Sequence, residues 1–249
     1  MSTDEDWQLW GRRNPYFGVI TDERFVRDKL TPESLDEFFR VGKAELCEIL
    51  ADCNRHLGEV TTRRSLDFGC GVGRLLIPLA EVSEYCVGVD VSDAMREETA
   101  RNCEKFGRTN VRLVRSLEQL AAREEPFTFI HCYIVLQHID PERGLGIIAS
   151  LLQRLERGGA AALHVTYARA KYPRNFGALP LDRRIAREIR TTLSRLTRRF
   201  GEREPQMQMN SYNMNRVLFL AQQYGVRSGG FRFTNHAGHL GAILFLKRD

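Results

Sequence analysis

From about Arg63 onward, short apolar runs alternate with longer amphipathic stretches. The apolar runs predict β-strands and the amphipathic stretches predict helices. The predicted strands are Ser65–Phe68, Tyr85–Asp90, Val111–Arg115, Phe127–Tyr133 and Ala160–Thr166. The predicted helices are Gly73–Val82, Ser92–Phe106, Leu117–Arg123 and Pro141–Arg157, with Ser92 as an N-cap and Gly158-Gly159 ending the last helix. Strands that alternate with helices imply an α/β fold, with a parallel sheet covered on both faces.

The two ends of the chain depart from this alternation. A helix is predicted over Ser211–Tyr224, and it is followed by strands near Val226–Thr234 and Leu240–Lys247. Only a turn separates these two strands, so they are predicted to form an antiparallel hairpin. Before the alternating region, Leu35–Leu57 has the apolar spacing of an amphipathic helix.

Length and composition limit the class of protein. A chain of 249 residues can form one large α/β domain with a sizeable core. Its six cysteines include no CxxC pair and no zinc-finger spacing, so we expect mostly buried thiols and no metal site. The N-terminus is acidic and therefore unlike a secretory or transit signal, and the longest apolar run is about half a membrane span. These features predict a cytoplasmic protein.

The net charge of +5 is concentrated in one segment. Between Arg169 and Arg203 there are eleven lysines and arginines and three acids. The arginines from Arg183 to Arg199 lie in a predicted helix, on the sides that its apolar face leaves free. This basic helix can be a solvated surface, or it can bind an anionic or carrier-linked small molecule. Nucleic acid and membrane are less favoured partners, because Phe200 is the one aromatic residue within this predicted helix.

A glycine-rich turn follows the first predicted strand. Its pattern is Asp67-x-Gly69-x-Gly71-x-Gly73. A dinucleotide fingerprint would require a glycine at position 74 or 76, and a phosphate-binding loop would require a GK[ST] sequence. Neither is present, so the turn predicts a nucleoside-like ligand without a pyrophosphate.

Two acids accompany the turn. Asp90 ends the next strand, where a carboxylate can accept hydrogen bonds from both hydroxyls of a ribose, although it could instead be a helix N-terminal acid. Asp67 can bind a cationic amino group or, alternatively, cap local backbone amides. Cys70, within the turn, is interpreted as a packing residue rather than a nucleophile. Together these residues indicate a ligand with a ribose and a charged amino-acid tail.

With these motifs the chain resembles the class I S-adenosylmethionine-dependent methyltransferases, and among them the bacterial enzymes that act on small molecules. The resemblance lies in "LDFGCGVGR", "VGVDVSDAM", "PFTFIHCYIVLQHI" and "LLQRLERGGAAALHV", in this order. It implies a Rossmann-like sheet of seven strands in the order 3-2-1-4-5-7-6, with the last strand antiparallel. The terminal hairpin predicted above agrees with that order.

The resemblance also implies the cofactor S-adenosylmethionine, the product S-adenosylhomocysteine and a set of binding residues. The implied cofactor-binding residues are Asp67, Gly69, Cys70, Gly71, Gly73, Arg74, Asp90, Val91, Met95, Ser116, Leu117 and Tyr133. One of them departs from the family pattern: Ser116 stands where an acid often accepts from the adenine amino group.

His138 follows the fourth strand, where the resemblance places the reacting methyl group. A histidine there can act as a general base for a hydroxyl acceptor or orient the substrate, or it can simply pack at the start of the next helix. We expect an N-terminal helical and aromatic lid at residues 1–60, a methyltransferase core at 61–249 and a substrate-cap insertion at about 167–208. Simple packing of the N-terminal aromatic residues is the alternative to a lid.

The sequence therefore predicts methyl transfer from S-adenosylmethionine to a small or carrier-bound acceptor that can be anionic. An oxygen atom of a sugar or secondary metabolite is the expected target. The alternatives are an RNA or protein methyltransferase that uses Arg183–Arg199, and a non-catalytic module that only binds the cofactor. The identity of the acceptor and the oligomeric state stay open.

Overall fold

A computed structural model describes residues 3–120, 125–180 and 205–249. The strands are β1 Arg64–Phe68, β2 Tyr85–Val89, β3 Val111–Val114, β4 Phe127–Cys132, β5 Leu155–Arg169, β6 Val226–His236 and β7 His239–Arg248. The α-helices are α1 Thr3–Arg13, α2 Pro15–Val19, α3 Pro32–Leu57, α4 Leu76–Glu81, α5 Asp93–Lys105, α6 Pro141–Arg154 and α7 Met214–Gln223. Short 3₁₀ helices span Glu23–Phe25, Arg27–Lys29, Leu117–Gln119, Leu136–His138 and Pro173–Asn175.

The seven strands form one sheet in the order β3-β2-β1-β4-β5-β7-β6. The strands β1 to β5 pair in parallel, whereas β7 is antiparallel to both β5 and β6. This arrangement confirms the predicted Rossmann-like sheet and the terminal hairpin. The order reverses beside β1, which is the place where open α/β sheets bind ligands.

One predicted helix boundary is wrong in an informative way. The helix predicted to run to Arg157 ends at Arg154, and Gly158-Gly159 lies inside β5 instead of ending the helix. Leu155 already pairs with Phe127 of β4, and the register shifts between this pair and the next one at Phe129. Gly158 has a φ of 81°, so the glycines form an irregularity within the strand.

Other boundaries differ by a few residues. The helix predicted from Gly73 begins at Leu76, because Gly73 has a φ of 90° and cannot join a right-handed helix. The helix predicted from Leu117 is a single 3₁₀ turn in the described residues, and positions 121–124 lie outside them. Ser92 is the predicted N-cap of α5, and its side chain accepts a hydrogen bond from Met95 N.

The sheet is covered on both faces, as predicted. On one face, Ile148 and Leu151 of α6 and Val217 of α7 pack against the strands. On the other face, Leu46 and Ile49 of α3 pack with residues of α4. These buried apolar side chains hold the helices on the sheet, because each contributes about 1.5–3 kcal/mol when it leaves water.

The N-terminal helices lie over the carboxyl ends of the strands. Gln8 of α1 donates from its Nε2 to the Val91 carbonyl at 3.0 Å, and Thr3 Oγ1 donates to the His138 carbonyl at 2.8 Å. Trp7 packs edge-on against the His138 ring with a centroid distance of 5.0 Å. The segment predicted as a lid therefore contacts loops on both sides of the sheet reversal, and its function as a lid stays a prediction.

The predicted substrate-cap insertion is described only in part. Residues 181–204, which include the Arg183–Arg199 segment, lie outside the described residues. In the described part, β5 continues to Arg169, and residues 205–213 return to the sheet, where Tyr212 N donates to the Thr166 carbonyl at 2.8 Å. No helix among the described residues has the length and apolar character to cross a lipid bilayer.

Close contact between α1 and α5 generates a test of the N-terminal packing. A Cβ atom at Gly11 would lie 2.3 Å from Ser92 Oγ and 3.3 Å from Ala94 Cβ. Gly11→Ala should therefore displace α1 and lower the free energy of unfolding by about 1–3 kcal/mol. Denaturant unfolding measures this change. Arg12→Ala, which alters the exposed neighbour, is the control, and equal stability of both variants would contradict the packing.

Candidate functional site

The glycine turn is pressed between two other segments. Gly69 and Gly71 have φ angles of 76° and 56°, which L side chains rarely adopt. A Cβ atom at Gly69 would lie 2.3 Å from Val135, and one at Gly71 would lie 2.7 Å from Val19 of α2. Glycine is thus required at both positions by backbone angle and by space, and the turn lies flat against its neighbours.

Asp90 connects this turn to the beginning of α5. Its Oδ2 accepts a hydrogen bond from Gly71 N at 2.9 Å, and its Oδ1 accepts one from Ser92 N at 2.9 Å. Burial raises the pKa of Asp90 to about 6, although the two backbone bonds act in the opposite direction. Each carboxylate oxygen has lone pairs for two hydrogen bonds, so one acceptor position remains on each oxygen.

A cavity of about 580 Å³ opens beside the turn and Asp90. Nine of the residues predicted from the sequence line it: Gly69, Gly71, Asp90, Val91, Met95, Ser116, Leu117, Tyr133 and His138. They come from the carboxyl ends of β1 to β4 and from the segments that follow them. The structure therefore brings together residues that are 69 positions apart between Gly69 and His138.

Four predicted residues do not line this cavity: Asp67, Cys70, Gly73 and Arg74. Asp67 is buried and its Oδ1 lies 2.8 Å from His131 Nδ1, so it faces a histidine of β4. Arg74 turns away to pair with Glu45 of α3. Cys70 is buried, and burial raises the pKa of its thiol, which favours the predicted packing role over a nucleophile.

Several lining residues were not predicted. The N-terminal helices contribute Thr3, Asp4, Trp7, Gly18 and Val19, and α6 contributes Arg143, Gly146, Ile147 and Ser150. The aromatic richness of the N-terminal segment was the available signal for the first group. No local pattern marks the second group, because α6 looks like an ordinary amphipathic helix whose exposed side happens to border the cavity.

The loop after β4 has an unusual backbone conformation. Ile134 has a φ of 57°, which is rare for a β-branched residue and costs about 1–3 kcal/mol. Its neighbours Tyr133 and Val135 both line the cavity. This strained residue thus lies in the cavity wall. Strained backbone is common in functional sites.

His138 is held in one tautomer by its neighbours. Its Nδ1 donates to the Gln208 carbonyl at 2.7 Å, because a carbonyl oxygen can only accept. Its Nε2 is therefore the acceptor nitrogen, and the Gln137 amide nitrogen lies 3.4 Å from it. Burial lowers the pKa of His138, so the ring is neutral near pH 7, and its Nε2 lone pair accepts from the Gln137 amide.

Part of the chain is similar in sequence to known methyltransferases. Residues 66–159 match the model of a family described as a methyltransferase domain. Over 94 residues, 36% of the chain, it is 34% identical to a 23S rRNA (uracil(1939)-C(5))-methyltransferase RlmD from Alkalilimnicola ehrlichii. That match spans only 21% of the curated relative's length.

Solved methyltransferases share the fold over nearly the whole chain. Magnesium protoporphyrin IX methyltransferase from Synechocystis, solved with bound S-adenosylmethionine, is 18% identical with a TM-score of 0.58, covering 98% of this chain and 97% of that one. The N-methyltransferase NodS from Bradyrhizobium japonicum, solved with S-adenosylhomocysteine, is 14% identical with a TM-score of 0.56, and 98% of each chain is covered. These structures confirm the predicted Rossmann-like methyltransferase fold.

The pKa of Asp90 generates a test of cofactor binding. Ribose hydroxyls donate more strongly to an ionised carboxylate than to a neutral carboxyl group, and Asp90 loses its proton near pH 6. The affinity for S-adenosylhomocysteine should therefore fall as the pH drops below 6, by up to about tenfold per pH unit. Calorimetric titrations between pH 5 and pH 8, roughly the range around that pKa, measure this dependence.

Asp90→Asn should bind more weakly at neutral pH, and its affinity should not change across this range. Asp93→Asn is the matched control, since Asp93 is exposed at the same helix end and pairs with Arg96. An Asp90→Asn variant that keeps the pH dependence of the parent protein would show that another group is responsible.

Proposed function

We propose that the chain transfers a methyl group from S-adenosylmethionine to an oxygen atom of a small-molecule acceptor. The match of residues 66–159 to a methyltransferase-domain model and the fold shared with solved methyltransferases support this proposal. The cavity covered by α1 and α2 carries this proposal. Its size lies within the range of about 300–1,000 Å³ that is usual for small-molecule sites.

The residues of the cavity fit the cofactor. The two free acceptor positions of Asp90 suit the neighbouring hydroxyls of a ribose. Val91 and Leu117 offer apolar surface for the adenine, and Ser116 offers a hydroxyl and backbone groups beside it. Gly69 and Gly71 allow the methionine part to approach the backbone. When bound, S-adenosylmethionine supplies a methyl group that is activated by the positive charge on its sulfur.

Asp67 was expected to bind the amino group of the cofactor, and its position does not support that role. Its carboxylate is buried against His131 rather than exposed in the cavity. A direct contact with the cationic amino group is therefore not part of the proposal. Backbone groups of the glycine turn and the cavity face of Tyr133 are the nearer candidates for the amino-acid tail.

The N-terminal helices favour a small acceptor. Thr3, Trp7 and Val19 lie over the cavity, and Val19 touches the glycine turn itself. A macromolecule would have to present its target group beneath this cover, whereas a small molecule can be enclosed by it. Enclosure also excludes water from the transfer step.

His138 supports an oxygen target. Methylation of a hydroxyl group requires the loss of its proton, and a neutral imidazole with a fixed acceptor nitrogen can remove it. In this proposal the acceptor hydroxyl replaces the Gln137 amide as the donor to Nε2 of His138. The acceptor oxygen gains the methyl group, and its proton passes to that nitrogen. Trp7 and the Gln208 carbonyl hold the ring in place during the reaction.

RNA is the second candidate acceptor. The partial match to an RNA methyltransferase and the basic Arg183–Arg199 segment favour it, although the segment lies outside the described residues. Incubation with methyl-labelled S-adenosylmethionine and cell extracts distinguishes the two candidates. Label in a small, nuclease-resistant fraction supports the proposal, while label that nuclease releases from large material supports RNA. Binding of the cofactor with no labelled product would indicate a non-catalytic module.

His138→Ala tests the base. Loss of a positioned general base should lower turnover of a labelled acceptor about a hundredfold or more, while the affinity for S-adenosylhomocysteine should stay within a few-fold of the parent protein. His56→Ala is the matched control, because His56 is exposed and does not line the cavity. Turnover that survives in His138→Ala would reject the catalytic role and leave His138 as a packing residue.

A further inference from the structure

Five of the six histidines lie at one edge of the sheet. They are His131 in β4, His138 after β4, His164 in β5, and His236 and His239 where β6 meets β7. The carboxyl ends of β4 and β5 adjoin this hairpin end, since Arg169 pairs with His239. The sheet edge that carries the cavity therefore continues into a region that is rich in imidazole groups.

Three of the aromatic rings in this region touch one another. Tyr133 packs edge-on against His164 with centroids 5.3 Å apart, and against His236 with centroids 6.1 Å apart. His164 and His236 stack at 5.1 Å. We call these three residues the Tyr133 cluster. Tyr133 also lines the cavity, so the cluster begins where the cavity wall ends.

Ring nitrogens in and beside the cluster lack hydrogen-bond partners. His164 is 1% exposed; its Nε2 lies 2.8 Å from Thr234 Oγ1, and its Nδ1 has no partner among the described residues. Next to the cluster, His131 donates from Nδ1 to Asp67, and its buried Nε2 is likewise without a described partner. Buried polar groups without partners lower stability, so several in one place point to a ligand.

The charges around the cluster are compensated. Burial lowers the pKa of His164 to about 3 and also lowers the pKa of His236, so both rings are neutral near pH 7. The nearby guanidinium group of Arg232 pairs with Asp52, and that of Arg74 pairs with Glu45. The cluster thus offers flat aromatic surface and hydrogen-bonding nitrogens, but no unpaired positive charge for an anion among these residues.

We propose that the Tyr133 cluster is the acceptor subsite and that it takes a flat, uncharged ring carrying a hydroxyl group. The inference rests on the proposed function, because the acceptor must lie beside the methyl donor in the cavity. Tyr133 and His236 contact the ring, and a hydroxyl group of the acceptor supplies the hydrogen-bond partner that Nδ1 of His164 lacks. His164 also packs against Tyr133 and His236 and so fixes the positions of their rings.

A purely structural role for the cluster predicts a different outcome. If the rings only filled space between α3 and the sheet, phenylalanine at position 164 or 236 would pack equally well, and at position 164 it would remove an unpartnered nitrogen from the interior. The substitutions His164→Phe and His236→Phe retain a flat ring and remove the nitrogens. They therefore separate hydrogen bonding to an acceptor from packing.

The experiment uses the full chain saturated with S-adenosylhomocysteine and three probes of one size. Naphthol is flat, uncharged and hydroxylated, naphthoate is flat and anionic, and decahydronaphthol is hydroxylated but not flat. Calorimetry should show naphthol binding at least about tenfold more tightly than either of the others. Binding of naphthoate as tight as that of naphthol, or no binding of naphthol, would overturn the proposal.

The two phenylalanine variants complete the test. Each should weaken naphthol binding about tenfold or more, while an unchanged affinity for S-adenosylhomocysteine shows that the cavity is still folded. His56→Phe, at an exposed position that stacks on Phe245, should change neither affinity. Unchanged naphthol binding in both cluster variants refutes the subsite while leaving the proposed function intact. Failure of the parent protein to bind S-adenosylhomocysteine would instead refute the proposed function, and the subsite with it.

Discussion

The hydrogen bonds of the Asp90 carboxylate fix the geometry on which the rest of the site depends. This one side chain bonds the Gly71 amide of the turn after β1 and the Ser92 amide at the start of α5. It thereby holds together the loops that follow the adjacent strands β1 and β2, on one side of the sheet reversal. The carboxylate is buried to do so, which raises its pKa, and one acceptor position remains on each oxygen beside the cavity.

The N-terminal segment depends on that geometry. Val19 packs where a side chain at Gly71 would stand, and the backbone of Gly11 approaches Ser92, the residue that caps α5. The cover of the cavity is therefore built against the same two loops that Asp90 connects. Small residues at the contact points are what allow the helices to come so close.

The face of the sheet beneath α3 is apolar near one end of its strands and carries histidines near the other end. Near their amino ends it is apolar, with Phe129 of β4 and Ala160 and Ala162 of β5 fully buried. Toward their carboxyl ends the same face carries His131 and His164, which are just as buried. An apolar core explains stability, whereas buried imidazoles with unmet hydrogen bonds are better explained by chemistry at this edge.

The sequence by itself determined the strand and helix alternation, the glycine turn, the position of Asp90 and the terminal hairpin. These features depend on periodicity, backbone angles and capping, which neighbouring residues encode. It predicted an N-terminal lid but did not reveal which residues of that segment line the cavity, or that Asp67 faces His131, 64 positions away. Such contacts join distant segments, and only tertiary packing decides which of them meet. The same reason explains the outcome at Gly158-Gly159. The local pattern predicted the end of a helix, but Leu155 pairs with Phe127, and the two glycines therefore lie within a strand.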